Sequence, residues 1–535
     1  MSDLLAGAGV LVAAGTSATA ILLPPGRMRS AAMLLALALF PVLILGDQWH
    51  THQIVDLRHH TVRVVIAVAL GSLVVFVLAY CFRRWPSLLP LAIIVALPFR
   101  IPLHAGGESA NLLVPLYLVI AGGVVFVLVR DWGVRPATPP PAGGAIGGTT
   151  PEEASATAGG GGSPMATGPA GWTAAVWLSR ILATFVVLYA LQSFYSGDFS
   201  KGLQNVCFFL VPFTVAYALL QDVDWDRRLL TAVLTVVGLE AVAFVLIGSV
   251  EFATRGLFWN DQVIRSNEFH TYFRVNSVFW DPNVYGRYLS LAIVVATAAL
   301  LWARDRRNLA LLTGLVGVLW IGLAQTYSQS SFVALLAGLA VLAAIRWSWR
   351  WTLVVVAVGL VGGLLVVALV GGKSVSSIPE RLNVDTSGRA NLVSGGIELF
   401  AERPLWGYGS GSFQHAYREH RTNKDVPVSI SHTEPVTVAA EQGLLGLLVY
   451  GALIVVALWT IGSGMWRGPP DGKVTFVARA AVLAAFVALL VHTLAYAGFF
   501  EDPIAWVLLA VGSSLATASV PTRESAGTVP IRAST

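Results

Sequence analysis

The sequence predicts an all-α polytopic membrane protein with about fifteen transmembrane helices, and three observations carry that reading. The first is composition. Of 535 residues, 56% are hydrophobic and 12% are charged, about half the charged fraction of a soluble domain. The second is length: apolar stretches recur at close to the ~20 residues that cross ~30 Å of hydrocarbon at ~1.5 Å per residue. The third is the placement of arginine, which alternates from loop to loop.

Taken in order, the stretches lie near 4–23, 31–46, 62–82, 87–103 and 112–130. They continue at 173–194, 203–221, 228–249, 284–303, 309–325, 331–346 and 351–370, and end with 436–461, 477–498 and 502–519. The fourth is interrupted by Pro86, Pro90 and Pro98. With the N-terminus outside, Arg27, Arg29, Arg83, Arg84, Arg130, Arg135, Arg227, Arg228, Arg304, Arg306, Arg307, Arg346, Arg350, Arg467 and Lys473 fall in inner loops. Short outer loops hold only Arg58, Arg100 and Lys201. The net charge of +5 therefore reports orientation and not a nucleic-acid partner. Cys81 and Cys207 sit toward opposite ends of their spans, which predicts packing and no disulfide.

These stretches divide the chain. Residues 1–130 hold five spans. Residues 131–172, rich in Pro, Gly, Ala and Thr, form a cytoplasmic disordered linker. Residues 173–370 hold the central spans with an outer loop at 251–283, and 371–434 form one large extracytoplasmic loop. Residues 435–519 hold the last three spans and 520–535 an inner tail.

Polar chemistry gathers on the outer side. The first outer loop, DQWHTHQIVDLRHH, joins Asp47 and Asp56 to four histidines, residue types that can bind a divalent metal although their spacing matches no tight ligand pattern. The loop at 251–283 ends in FWDPNVYGR. There Asp281 is placed to cap a helix that Pro282 opens, and Arg287 falls one turn inside. A guanidinium at that depth snorkels or finds an anion, with Phe279, Trp280 and Tyr285 as interfacial anchors.

In the large loop, Ser387 is placed to cap a helix running through about Glu402. Its Leu392, Leu399 and Phe400 share a face that suits the membrane surface. GYGSGSF follows as a Gly-rich turn containing Tyr408; no strand precedes it, so it is not a phosphate loop. SHTEPVTVAAEQGLLG then opens a membrane helix. His432 or Thr433 can cap it, its free amides favour an anion, and Glu441 lies two turns deeper.

The order of these motifs resembles the O-antigen ligase and O-antigen polymerase superfamily of bacterial membrane glycosyltransferases. The motifs are a DPN-entered helix, TYSQSSF, then SGR…ELFAERPLWGYGSGSF…SHTEP…EQGLLG and three last helices. The resemblance covers about residues 260–450. It implies twelve family-like helices plus extra N-terminal spans, and a multi-pass protein of the cell membrane active on its extracytoplasmic side. The implied reaction moves glycan from an undecaprenyl-diphosphate carrier to a glycan or lipid-glycan acceptor, without cofactor or metal. The chain departs from the family's pattern at His432–Thr433, where the family often has His-Asn. It departs again at Ser328–Gln329–Ser330–Ser331, where the family often places Ser-Arg-Gly. Another arginine must then replace the missing one.

Within that reading His432 is the general base, with Glu434 as understudy or orienting partner. Arg389, Arg287 and Arg274 bind the diphosphate, and Asp281, Tyr408 and Glu441 support them. Two other classes fit parts of the sequence: a metal-dependent lipid-linked glycosyltransferase using the first outer loop, and a transporter or flippase of lipid-linked glycans. The predicted topology can be measured by itself. A single cysteine placed at position 150 should stay unlabelled by an impermeant maleimide in intact cells, and labelling there would reverse the orientation.

Overall fold

In the computed structural model the described residues are 3–51, 54–55, 59–105, 108–133, 170–258, 260–269, 272–354, 356–357, 389–420, 431–467 and 473–518. They form a helical bundle. The N-terminal part comprises α1 (Asp3–Leu22), α2 (Arg27–Asp47), α3 (Thr61–Arg84), α4 (Leu88–Ala96) and α5 (Val114–Trp132). The central part comprises α6 (Ala170–Gln192), α7 (Phe199–Asn205), α8 (Val211–Gln221), α9 (Arg227–Thr254), α10 (Asp261–Phe269), α11 (Pro282–Trp302), α12 (Arg306–Thr326) and α13 (Gln329–Arg346). The last part comprises α14 (Arg389–Glu402), α15 (Phe413–Glu419), α16 (Glu434–Gly462), α17 (Lys473–Thr493) and α18 (Pro503–Ala518). Of the predicted linker, residues 134–169 lie outside the described residues, while 131–132 end α5 and 170–172 open α6. Most of the stretch expected at 351–370 also lies outside them.

Among the described residues, twelve helical segments are long and apolar enough to cross a membrane, and α18 is a shorter apolar helix. The expected fourth span is not one of them. Pro98 closes α4 after nine residues, and the chain continues as a two-stranded antiparallel ribbon, β1 (Ile101–Ala105) and β2 (Glu108–Leu112). The traverse is still made. A Cβ on Gly71 would meet Leu118, and one on Gly122 would meet Leu78 and Phe82, so α3 and α5 run in the same direction. The chain must return between them, and α4 with the residues after it is that return; the ribbon, whose ends Ile101 and Leu112 pair, adds no net rise. Proline removes the amide hydrogen bonds a continuous helix needs.

Small residues bring the helices together. A Cβ on Gly338 of α13 would lie 2.7 Å from Val294 of α11 and 3.1 Å from the Ala484 carbonyl of α17. Close backbone approach of this kind is how helices associate where lipid offers no hydrophobic drive. Polar contacts between distant segments gather at two ends of the bundle. At one end Arg29 pairs with Asp222, and Arg27 donates to the Asp131 carbonyl. At the other, Ser200 donates to Asp47, Gln192 to the Gln442 carbonyl and Arg274 to the Thr326 carbonyl.

Two arginines at the first end cap helices. Arg29 is 3% exposed, binds both oxygens of Asp222 and donates to the Ala218 carbonyl near the end of α8. Arg479 of α17 donates to the carbonyls of Thr460, Ile461 and Ser463. A cation at a helix C-terminus satisfies carbonyls that have no intrahelical partner.

α16 is broken at Gly443, whose φ of 64° and ψ of −162° are not helical. The break frees an amide and a carbonyl that the preceding loop takes up: Leu444 donates to the Pro404 carbonyl at 2.7 Å, and the Glu441 carbonyl accepts the Gly409 amide at 2.8 Å. A Cβ at position 443 would stand 2.5 Å from the Leu405 backbone. Gly443→Ala should therefore destabilise the protein by about 1–3 kcal/mol, read as a lowered unfolding midpoint in detergent. An unchanged midpoint would mean that α16 tolerates a regular turn here.

Candidate active site

Two Asp-Pro steps build the site. Asp281 accepts the amides of Asn283 and Val284 and caps α11, as the sequence predicts, with Pro282 in the first turn. Asp502 does the same for α18, accepting the Ile504 amide at 2.9 Å ahead of Pro503. The second step repeats the signal of the first, and sequence reasoning missed it.

Asp502 also meets Arg287. Arg287 Nη2 lies 2.9 Å from Asp502 Oδ2, with both side chains about 95% buried. The arginine does not snorkel. The contact is an ion pair without an aligned hydrogen bond, and Arg287 Nε and Nη1 have no hydrogen-bond partner among the described residues. Phe279 and Tyr285, expected as interfacial anchors, are buried and pack on each other at 5.4 Å.

The entrance to α16 is stitched to the segment just before Asp502. His432 has a φ of 63°, and its carbonyl accepts the Ala497 amide at 3.1 Å. Glu434 Oε2 accepts the Gly498 amide at 2.7 Å and the Phe499 amide at 3.0 Å. Thr433 flanks α16 but does not cap it through its side chain: its hydroxyl donates to the Leu494 carbonyl, and Ser431 Oγ takes the Thr433 amide instead. The expected cap is thus replaced by a cross-link to the end of α17. His432 stands 6.2 Å, ring to ring, from Tyr496, which stands 5.9 Å from His492. His492 Nε2 in turn meets the hydroxyls of Ser330 and Ser331 at 3.3 and 3.4 Å.

From those serines a polar seam leads to Arg274. Ser328 bonds Ser331 and Asn283 Oδ1; Arg274 donates to the same Asn283 oxygen at 3.0 Å and to the Thr326 carbonyl. Arg274 thus ties its loop to α11 and α12.

Glu441 is buried beside the Gly-rich turn and holds it, accepting the Gly411 amide at 2.8 Å and the Phe413 amide at 3.1 Å. Gly407, Gly409 and Gly411 all have positive φ, and a Cβ on any of them would stand within 2.4–2.7 Å of backbone atoms. Only glycine fits there. A cavity of about 60 Å³ lies between this turn, α7 and the entrance to α16, lined among others by Tyr189, Lys201, Asn205, Glu434, Glu441 and Glu501. Three carboxylates make it a place for hydroxyl or amine donors and a poor one for phosphate.

The structure thus brings His432, Glu434 and Arg287 together through residues 496–502, with Glu441 sharing Glu434's cavity. Asp281 and Arg274 lie on the adjoining seam. Tyr408 belongs elsewhere: its hydroxyl faces Glu402 and His420, and Arg403 stacks on its ring at 4.2 Å. Arg389 is the first residue of α14, and its side chain lies outside the described residues. The face of α14 expected to rest on the membrane packs instead within the protein. Leu399 joins Phe413, Tyr417 and Ala440 in a small buried cluster, with Leu392 against it, so tertiary contacts take up the apolar stripe.

For the metal alternative, Asp47 is bonded to Gln48 and Ser200, while His52 and Asp56 lie outside the described residues. No group of three or more His, Cys, Asp or Glu side chains among the described residues is arranged to hold a metal ion.

Residues 314–451 match the family model described as O-antigen ligase. No curated protein matches the chain. The matched segment includes the SQSS stretch, the large loop, His432, Glu434 and Glu441. It ends before Asp502 and begins after Arg287.

The Tyr408 group makes a pH-dependent contact. Its hydrogen bond to Glu402, with the charge of His420, holds the Glu402 carboxyl below its usual range, while burial and that same carboxylate push the phenol up to about 12. Because the Glu402 pKa is depressed on folding, its contribution is full above the ordinary carboxylate pKa and is lost as pH falls through the folded value. Tyr408→Phe should lower the unfolding midpoint at neutral pH, with the difference from wild type closing in acid. A pH-independent difference would show that lost packing, and not the carboxylate, is responsible.

Proposed function

We propose, for a chain that belongs to the O-antigen ligase/polymerase superfamily through its segment 314–451, that it transfers glycan from an undecaprenyl-diphosphate carrier to a glycan or lipid-glycan acceptor at the outer face of the cytoplasmic membrane. The observation that carries this reading is the Arg287 guanidinium, buried, with two nitrogens unspent, tied through residues 496–502 to the entrance of α16. A buried guanidinium with free N–H groups suits a phosphate, and the positive end of the α16 dipole favours the charge that develops as the diphosphate leaves.

His432 is the proposed base for the acceptor hydroxyl. Its backbone is fixed in a left-handed conformation that costs of order 1 kcal/mol in a non-glycine residue, and the Ala497 bond helps hold it. Glu434 orients this entrance through Gly498 and Phe499, and the carboxylate-lined cavity beside it suits acceptor hydroxyls. Arg274 positions the seam. Arg389 remains a proposed diphosphate ligand from its place at the start of α14. The membrane helices, not a nucleotide site, deliver the donor.

The test is glycan transfer by purified protein from a lipid-diphosphate oligosaccharide in the presence of chelator. His432→Ala should lower turnover by about 10²–10⁴-fold with donor binding retained, and His432→Gln should rescue little. Arg287→Lys and Arg389→Lys should weaken donor binding at unchanged charge, because lysine lacks the planar fork. Damage from Asp47→Asn with a mild effect of His432→Ala would favour metal-dependent chemistry at the first loop. Absence of any new glycosidic bond from wild type would favour a transporter.

A further inference from the structure

At the end of the bundle opposite this site, the charged surface falls into two unequal parts. Around α8 and the start of α9, Arg29, Arg227 and Arg228 stand with Asp222, Asp224 and Asp226, and Arg29 pairs with Asp222. The other part is the corner where α11 gives way to α12 and where α13 ends; α11 and α13 both begin at the site and finish here. It carries five exposed arginines, Arg304, Arg306, Arg307, Arg346 and Arg350, against one carboxylate, Asp305. That carboxylate is spent, because it accepts the Asn308 amide and caps α12. Arg346 donates to the Leu301 carbonyl at 3.4 Å, which joins the two halves of the corner. Arg350 stacks on Trp349 at 5.7 Å, and Arg304, Arg306 and Arg307 meet no carboxylate among the described residues.

Apolar surface lies beside these charges. Trp347, Trp349 and Trp351 are each more than half exposed. Leu311, Trp320 and Ile321 of α12 and Val333 and Leu336 of α13 are exposed as well, so both helices border lipid. Guanidiniums gathered without counter-charge repel one another, and an anion relieves that cost. Tryptophan settles at the boundary between hydrocarbon and head group, because its ring is apolar and its N–H is a donor. A soluble anion would answer the charge alone. An anionic phospholipid answers both features, with its phosphate on the guanidinium forks and its chains along α12 and α13.

We infer that this corner is a binding site for an anionic phospholipid of the phosphatidylglycerol class. Its phosphodiester oxygens accept from the exposed guanidiniums, and the tryptophans flank its glycerol backbone. Net charge makes the selection. A choline head group brings a cation into the field of five arginines, and a glycerol head group brings none. Two arginines engaged by the phosphate are enough for about a tenfold preference over the zwitterionic lipid.

The test is native mass spectrometry of the full-length protein released from nanodiscs of equal parts phosphatidylglycerol and phosphatidylcholine. Retention of phosphatidylglycerol at least about tenfold over phosphatidylcholine is expected. Arg306→Gln, Arg307→Gln and Arg350→Gln together should remove the preference. Arg227→Gln with Arg228→Gln, at the balanced part of the same end, should leave it intact. A photoactivatable phosphatidylglycerol should crosslink to peptides spanning 302–307 and 346–351 of the unmutated protein, which locates the site even if the triple variant does not fold. Equal retention of both lipids overturns the inference. So does a preference that survives the triple variant, or one that falls equally in the Arg227 and Arg228 variant, since the charge of the whole end would then be responsible. Retention of free glycerol phosphate in place of the lipid, or crosslinks confined to other peptides, also overturns it.

Discussion

The interaction on which the polar end of this molecule depends is the buried carboxylate that accepts two or three backbone amides from neighbouring loops. Glu251 takes the amides of Phe258, Asn276 and Ser277; Glu434 takes those of Gly498 and Phe499; Glu441 takes those of Gly411 and Phe413. A carboxylate buried alone costs several kcal/mol, and a loop amide buried alone costs ~1–3 kcal/mol. Each cancels much of the other's cost. Three loops that would otherwise need water are thereby held against apolar helices, and their positions are set by side chains on α9 and α16.

This arrangement explains why α16 is broken where it is. Glu441 lies two residues before Gly443, and the break turns the backbone carbonyl of Glu441 and the amide of Leu444 toward the loop at 404–409. The same short stretch therefore grips the glycine turn by side chain and by backbone. The positive-φ glycines at 407, 409 and 411 are the other half of that contact, since no side chain fits between the loop and the backbones of residues 196, 202 and 441. With the turn fixed, Glu434 and His432 are held one helix segment away, against residues 497–499.

The two ends of the bundle handle charge differently. At the site end, carboxylates hold loop amides and helix N-termini, leaving the Arg287 guanidinium with unspent donors. At the opposite end, Arg29 and Arg479 hold helix C-termini, and Arg29 is neutralised by Asp222. Each end holds both kinds of helix terminus: Asp226 caps the start of α9 beside Arg29, and Arg274 meets the Thr326 carbonyl at the close of α12. Carboxylates match amides and guanidiniums match carbonyls wherever a helix begins or stops. An arginine near a helix end can therefore serve packing by holding the last carbonyls of a neighbouring helix.

The sequence by itself determined whatever depends on local composition. Apolar length set the helices, the Asp281–Pro282 step set the cap of α11, and the three glycines set the turn. The order of motifs in 260–450 was enough to indicate the superfamily. Only the tertiary structure decided matters that depend on long-range partners. Prolines in the fourth stretch signalled a weak span, but that a nine-residue helix makes the return follows only from α3 and α5 running parallel. Asp502 carried a readable Asp-Pro signal, yet its pairing with Arg287, 215 residues away, has no local trace. The apolar face of α14 was legible as a stripe, and whether lipid or Phe413 and Tyr417 would cover it was not. Glu434 and Glu441 could be read as costly carboxylates near a membrane. That they are held by loop amides follows only from the packing of distant loops, because hydrogen-bond donors of the backbone carry no mark in the sequence.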